Sequence, residues 1–195
     1  MALYVANNRP DAMRSAKTIA QHASKLNILM EARLHRLSRH LEGHLNPWRR
    51  HELQDERLEI RGDGGSDWAA PQENLRRSTS GGTIRHGKHL WDAYNTTQAT
   101  SALSPGEAEF YATGSTRGLM AKNFLEDTGR RVILVIASDS SAGRGMRQRA
   151  GVGRVRHLEN RFLWIRDRIR QRQLRLIKES TDKMVCLPSM LRRRR

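Results

Sequence analysis

Cysteine is almost missing from this chain. Cys186 is the single one among 195 residues, so no disulfide within the chain can staple the fold, and an intracellular setting is expected. Aromatic residues are scarce, at 5%, and the hydrophobic share is 37%. A core is possible but thin, and a mean hydropathy of -0.74 leaves much of the chain facing water. No run of about 18 apolar residues exists, which argues against a membrane span. The opening MALYVANNRPDAMR has no basic start followed by an apolar stretch, so no secretory signal is expected. No internal repeat is visible. The length suits one ordinary domain, or one domain with a fragment beside it.

Positive charge is plentiful. The formal charge is +16, from 36 Lys+Arg against 20 Asp+Glu. Residues 1–55 carry net +4, residues 56–139 net -1, and residues 140–195 net +13. A near-neutral middle followed by a strongly basic end attracts a polyanion, most commonly nucleic acid. Arginine dominates over lysine, and the guanidinium fork suits bidentate phosphate contact. The plainer alternative is a solubilising basic tail.

The first segment predicts two helices. Pro10 and Asp11 sit where a helix can start, and Met13, Ala16, Ala20 and Ala23 follow at helical spacing. Leu34, Leu37 and Leu41 mark a second stretch, stopped at Gly43. From Glu56 the pattern changes. Leu58, Ile60 and residues 62–67 suggest a strand running into a glycine-rich kink, and residues 76–82 a turn. Thr83, Ile84 and residues 89–94 suggest short strands of a meander. Ser104-Pro105-Gly106-Glu107 is a helix start with a capping box. That helix is expected to run through Ala108, Ala112, Leu119 and Phe124 to a stop near Gly129. Val132 to Ile136 is a continuous apolar run, suited to a strand buried on both faces and ending at Asp139. Val155, Leu158, Phe162, Ile165 and Ile169 mark a long amphipathic helix, with extended segments around Leu174, Leu176 and Val185 beyond it. Together these elements predict an α/β fold of mixed α+β type: a mixed sheet with helices packed on it, preceded by a short helical segment.

Three acidic spots then stand out: Asp63 and Asp67 near the end of the first strand, Glu107 and Glu109 in the capped helix, and Asp139 after the buried strand. A carboxylate at the end of a central strand lies where ligands bind in such folds. Converging carboxylates need cations, and oxygen ligands of this kind suit Mg²⁺ or Mn²⁺. Two such ions can activate water against a phosphodiester. Each residue also has a plain structural reading. Glu107 is more simply the capping glutamate, Glu109 a solvent-facing helix residue, Asp139 a cap for the following turn, and Asp63 and Asp67 turn residues.

The segments SDWA (Ser66 to Ala69), RRSTSGG (Arg76 to Gly82), TQ (Thr97-Gln98), ALSPGEAEFYA (Ala102 to Ala112), SDSSA (Ser138 to Ala142) and RHLENRFLWIRDRIR (Arg156 to Arg170) occur in one order. In that order the chain resembles the ribonuclease H domain of copia-type retrotransposon Pol polyproteins, over residues 56–195. LYVANNRPD (Leu3 to Asp11) and RLHRLSRHLEG (Arg33 to Gly43) resemble the end of the adjoining reverse transcriptase, so residues 1–55 are read as a helical remnant of it. The polymerase's own acidic motif is missing, so copying of nucleic acid is not expected. The resemblance implies a ribonuclease H-like fold and a hydrolase that cuts the RNA strand of an RNA–DNA hybrid with two Mg²⁺ ions. Glu109 matches the catalytic helix glutamate, and Asp139 the aspartate after the buried strand.

Two family positions depart. The family has an aspartate two residues before the one in its DWA segment, and Gly65 stands there. Asp63, Gly65 and Asp67 share one strand face, but each aspartate lies about 6.6 Å from Gly65 along the strand. A glycine bulge at Gly64-Gly65 is one way to bring Asp63 in. The family's last acid falls at about Cys186-Leu187, and the Arg192 to Arg195 tail replaces the usual ending. Arg156, His157 and Arg161 are the candidate phosphate contacts, against a solvated helix face. Trp164 is expected in the core rather than as a base-stacking platform.

Three readings follow. One is a ribonuclease H-like retroelement domain that binds RNA–DNA hybrid with cleavage impaired or lost. The second is an active Mg²⁺-dependent ribonuclease H, completed by Asp63 or Asp67. The third is a basic, non-catalytic nucleic-acid binder. Oligomeric state is not legible.

Overall fold

A computed structural model describes residues 2–24, 27–45, 51–68, 77–111, 114–149, 164–180 and 183–184. Three helices come first: α1 (Ala2–Asn8), α2 (Met13–Gln21) and α3 (Ile28–Gly43). The sequence pattern suggests only two, because residues 2–8 carry no cap and little periodicity. Asn27 caps α3 by accepting from Met30 N. Arg9 ties the three together. It is buried, holds Asp11 through two hydrogen bonds of 3.0 and 2.8 Å, and donates to the His44 carbonyl at 2.8 Å. Ala6, Ala12, Met13, Ala16, Ile19 and Leu37 form a small core of their own, against which Ala93 packs.

The rest builds one five-stranded sheet. Its strands are β1 (Glu59–Ser66), β2 (Thr79–His86), β3 (His89–Thr97), β4 (Ile133–Ser138) and β5 (Leu174–Lys178), in the order β3-β2-β1-β4-β5. β1 to β3 form an antiparallel meander. β4 pairs parallel with both β1 and β5. Parallel pairs need long crossovers, and the connection from β3 to β4 carries α4 (Pro105–Phe110) and α5 (Gly114–Asp127). The crossover from β4 to β5 holds α6 (Ser141–Gln148) and α7 (Trp164–Arg170). This is the mixed sheet with flanking helices, preceded by a helical segment, that the sequence leads one to expect.

Several local expectations change. Residues 79–82 are strand rather than turn. β1 runs through its glycines without a bulge, since Gly64 faces Gly82 and Gly65 faces Gly81 in unbroken register. The one register shift in this meander lies between Ile84 and Arg85, in the β2–β3 ladder. The helix expected from Ser104 to Gly129 is two helices, α4 and α5. α6 has no counterpart in the sequence reading, because its glycines mask the helical pattern. Of the long helix expected from Val155, only α7 is described; residues 150–163 lie outside the described residues, as does Val185.

The main core gathers Ile60, Ile84, Phe110, Leu125, Leu134, Ile136, Ile165 and Leu174 between the sheet and its helices, with Trp164 packed against it. Gly118 lets α5 approach the sheet, since a Cβ there would meet Leu134 Cδ1 at 2.7 Å, and Gly62 leaves room for Ile136, whose Cδ1 a Cβ would meet at 2.7 Å. Tyr94 needs similar room, and a Cβ on Gly82 would collide with its hydroxyl oxygen and with the Asp63 carbonyl. No helix among the described residues is long and apolar enough to cross a membrane.

Gly82→Ala should therefore destabilise the fold by roughly 1–3 kcal/mol, the usual cost of overpacking a tight site. Urea unfolding should show a lower midpoint with an unchanged slope; an unshifted midpoint would contradict the packing described.

Candidate active site

α4 begins as its sequence dictates. Ser104 has extended backbone and caps Glu107 N, Pro105 takes the first turn, and the Glu107 carboxylate accepts from Leu103 N at 2.9 Å. Glu107 thus closes a capping box, in line with its plainer reading. One half-turn on, Glu109 points into the molecule and is buried. Its carboxylate accepts from Ser138 Oγ at 2.9 Å, at the end of β4, and from the Ser66 backbone at the end of β1.

α6 closes over this glutamate. A Cβ on Gly143 would meet Glu109 Cγ at 2.7 Å, and one on Gly106 would meet Ala142 Cβ at 2.8 Å, so the two helices touch through glycines. Ser140 caps α6 by accepting from Gly143 N at 3.0 Å. Arg147, fully buried on α6, donates to the Glu109 carbonyl and sets its charge beside the carboxylate. Burial pushes the Glu109 carboxyl above its ordinary range; Arg147 and Ser138 oppose that shift, and the Asp139 charge adds to it. Burial likewise lowers the Arg147 guanidinium.

Asp139 follows β4 directly and is exposed. Glu109 and Asp139 are therefore brought together at the ends of two adjacent parallel strands. The β1–β4 register ends with Asp63 opposite Ala137, so Gly65 lies beyond the last paired position, toward the end of β4 that Asp139 follows.

Asp63 lies elsewhere. It is fully buried, and both its oxygens are engaged: Oδ1 by Arg61 Nε at 2.9 Å and Oδ2 by Arg85 Nη2. Arg61 reaches on to Glu179 at 3.1 Å. Asp67 is exposed and accepts from Thr79 N, while its own N–H donates to the Thr79 carbonyl at 3.1 Å. It clamps the end of β1 to the start of β2. Among the described residues no group of three His, Cys, Asp or Glu side chains is arranged to hold a metal ion. Arg156, His157, Arg161, Cys186 and Leu187 lie outside the described residues.

Sequence reading placed Gln98 in the TQ segment of the resemblance without giving it a role, and it missed Arg147. Gln98 is buried and donates to Ser80 Oγ at 2.8 Å and to the Ala108 carbonyl at 2.6 Å, so it seats α4 on β2. Arg147 resembles one more surface cation in a basic stretch. Arg147 carries no signal beyond its residue type. At the far end of the sheet a cavity of about 550 Å³ is lined by residues including His51, His86, His89 and Trp91. His86 and His89 there donate to the carbonyls of Arg57 and Glu52, both at 2.7 Å, and so hold residues 51–57 against the β2–β3 hairpin.

No family model matches the chain, and no curated protein does. Among solved structures it is similar to LC11-RNase H1 isolated from compost, at 16% identity and a TM-score of 0.39, over 65% of this chain and 86% of that one. The same enzyme in complex with RNA/DNA hybrid gives 15% identity and a TM-score of 0.41, over 65% and 88%. A foamy viral protease-reverse transcriptase in complex with double-stranded DNA gives 11% and 0.37, over 87% of this chain and 30% of that one.

Two measurements check this geometry. Asp63→Ala leaves Arg61 and Arg85 facing each other without their anion, and should cost about 3 kcal/mol of stability. A free metal-ligand role for Asp63 would instead predict little change. Glu109 binds its proton more tightly folded than unfolded. The wild type therefore loses stability as pH rises from the ordinary carboxylate value, about 4.3, through the raised one. Glu109→Gln removes that loss. Thermal midpoints of the two proteins should diverge across this window, and parallel pH profiles would sink the assignment.

Proposed function

We propose that this chain is a ribonuclease H-like domain of a copia-type retroelement polyprotein, acting inside the cell, that binds RNA–DNA hybrid while its hydrolysis of the RNA strand is impaired or lost. Residues 56–195 form that domain in this reading, and residues 1–55 are a remnant of the preceding reverse transcriptase. One observation carries the proposal. Glu109 and Asp139 converge at the end of β4, and by the resemblance Gly65 stands where the family has a further aspartate.

The residues present do not fit a pair of Mg²⁺ or Mn²⁺ ions well. Such a pair needs oxygen ligands converging from several sides. Asp63 is two residues short of the edge and already neutralised by two guanidiniums. Asp67 commits an oxygen to the Thr79 amide. Glu109 is buried, and burial pushes its carboxyl above the ordinary range. These side chains support no hydrolytic step. What the edge retains is a place for a polyanion: the basic segment of residues 140–195, at net +13, leads away from it, with Arg156, His157 and Arg161 as proposed phosphate contacts.

End-labelled RNA–DNA hybrid, incubated with the purified chain in Mg²⁺, in Mn²⁺ and in chelator, tests the reading. The expected result is binding that weakens with salt, prefers hybrid over DNA duplex, and brings no metal-dependent cutting. Cutting that disappears in Asp139→Asn would overturn the impairment and leave an active ribonuclease H. Equal affinity for hybrid and DNA duplex would favour a basic binder without hybrid recognition, since the hybrid is distinguished by A-like shape and 2′-hydroxyls.

A further inference from the structure

The N-terminal helices meet the sheet at the end that carries Glu109 and Asp139. Lys17 Nζ donates to Thr79 Oγ1 at 2.7 Å, and Gln21 Nε2 to Thr97 Oγ1 at 2.9 Å. Thr79 begins β2 and Thr97 ends β3, so both bonds fall at the same sheet edge as Asp67 and, two strand spacings from β2, Asp139. Two spacings are roughly 10 Å. Met13, Ala16 and Ile19 face the small helical core. Arg14, Lys17 and Gln21, at i, i+3 and i+7, line another face of the same helix.

Lys17 is unusual in this setting. It is half-buried, yet its ammonium is bonded to a neutral hydroxyl and makes no ion pair among the described residues. Asp67 is the nearest anion that favours its charge, and that carboxylate is already occupied by the Thr79 amide. A partly desolvated cation with no salt-bridge partner among the described residues, at the edge where a polyanion is to lie, is a candidate site for an anion.

We propose that Lys17, with Arg14 beside it, is a phosphate-binding position that carries the hybrid-binding edge of the sheet onto the N-terminal helices. The inference rests on the hybrid reading above and extends it: the helical segment is part of the binding surface, not only a remnant attached to it. The phosphate backbone of the bound hybrid crosses α2 on one side of Asp139, while Lys178, facing Ser138 from β5, marks the other side.

The full chain and a short labelled RNA–DNA hybrid serve for the test, with affinity measured across a salt series and a pH series. Lys17→Gln should weaken binding about threefold to tenfold, as expected for one charged contact, and flatten the salt dependence by about one unit of slope. Burial, countered by Asp67 and reinforced by Arg14, brings the Lys17 ammonium down to about 8, so wild-type affinity should fall as pH is raised through that value. Lys17→Arg, which stays charged, should keep the affinity and lose the pH response. That variant also decides the matter if Lys17→Gln fails to fold. Wild-type affinity equal to that of Lys17→Gln, with the same salt slope, overturns the role of Lys17 while leaving hybrid binding intact. A pH response unchanged in Lys17→Arg overturns it too. Failure of the wild type to bind hybrid at all overturns both readings.

Discussion

Parallel strands cannot be joined by a tight turn, and the pairing of β1 with β4 organises everything around it. To bring β4 back beside β1, the chain must first complete the meander and then cross the sheet through α4 and α5. That crossing lays α4 over the ends of both strands. The register then decides which groups meet: Ser138 turns to the same face as Leu134 and Ile136 and receives Glu109, while Asp139 stands at the edge. A slip of one residue would exchange the two faces of β4, sending Ser138 away from Glu109 and breaking the apolar face beneath it. The site geometry is thus a consequence of core packing.

Some of this is legible in the sequence, and the reasons differ by element. Residues 132–136 announce a buried strand because a strand covered on both faces has no use for alternation. Ser104 to Glu107 announce a helix start because each side chain satisfies a specific orphan amide. The stretch Ser78 to Gly82 misleads, since serine, threonine and glycine in a row ordinarily signal a turn. Here they are small because Tyr94 fills the space above Gly64 and Gly82. α6 is hidden for a related reason: Gly143 lowers helix propensity but admits Glu109. In both places a tertiary contact explains residues that local preference cannot.

The candidate site is legible in part. That Asp139 ends a central strand follows from sequence, and that Glu109 belongs beside it comes from the resemblance. The fate of Asp63 follows from neither. Its partners are Arg61, two residues away on the same face, and Arg85, 22 residues away across the β1–β2 ladder. Spacing alone shows that Asp63 and Gly65 share a face; only the fold shows that the face beneath Gly65 is already occupied by an internal ion network.

That network bears on how the fold manages several carboxylates near one end of its sheet. Carboxylates crowded at a sheet edge repel one another, and a metal ion is one remedy. This chain uses others. Asp63 is neutralised by Arg61 and Arg85, and Arg61 extends the balance to Glu179. Glu109 has the buried Arg147 beside it, which opposes the upward push of burial on its carboxyl. Among the described residues, Asp63 and Glu109 thus have guanidinium partners within the protein, and Asp139 faces solvent. Under the proposed reading, the separation has a consequence. The surface that attracts nucleic acid and the scaffold that supports it persist independently of the chemistry, because neither draws on the missing carboxylate.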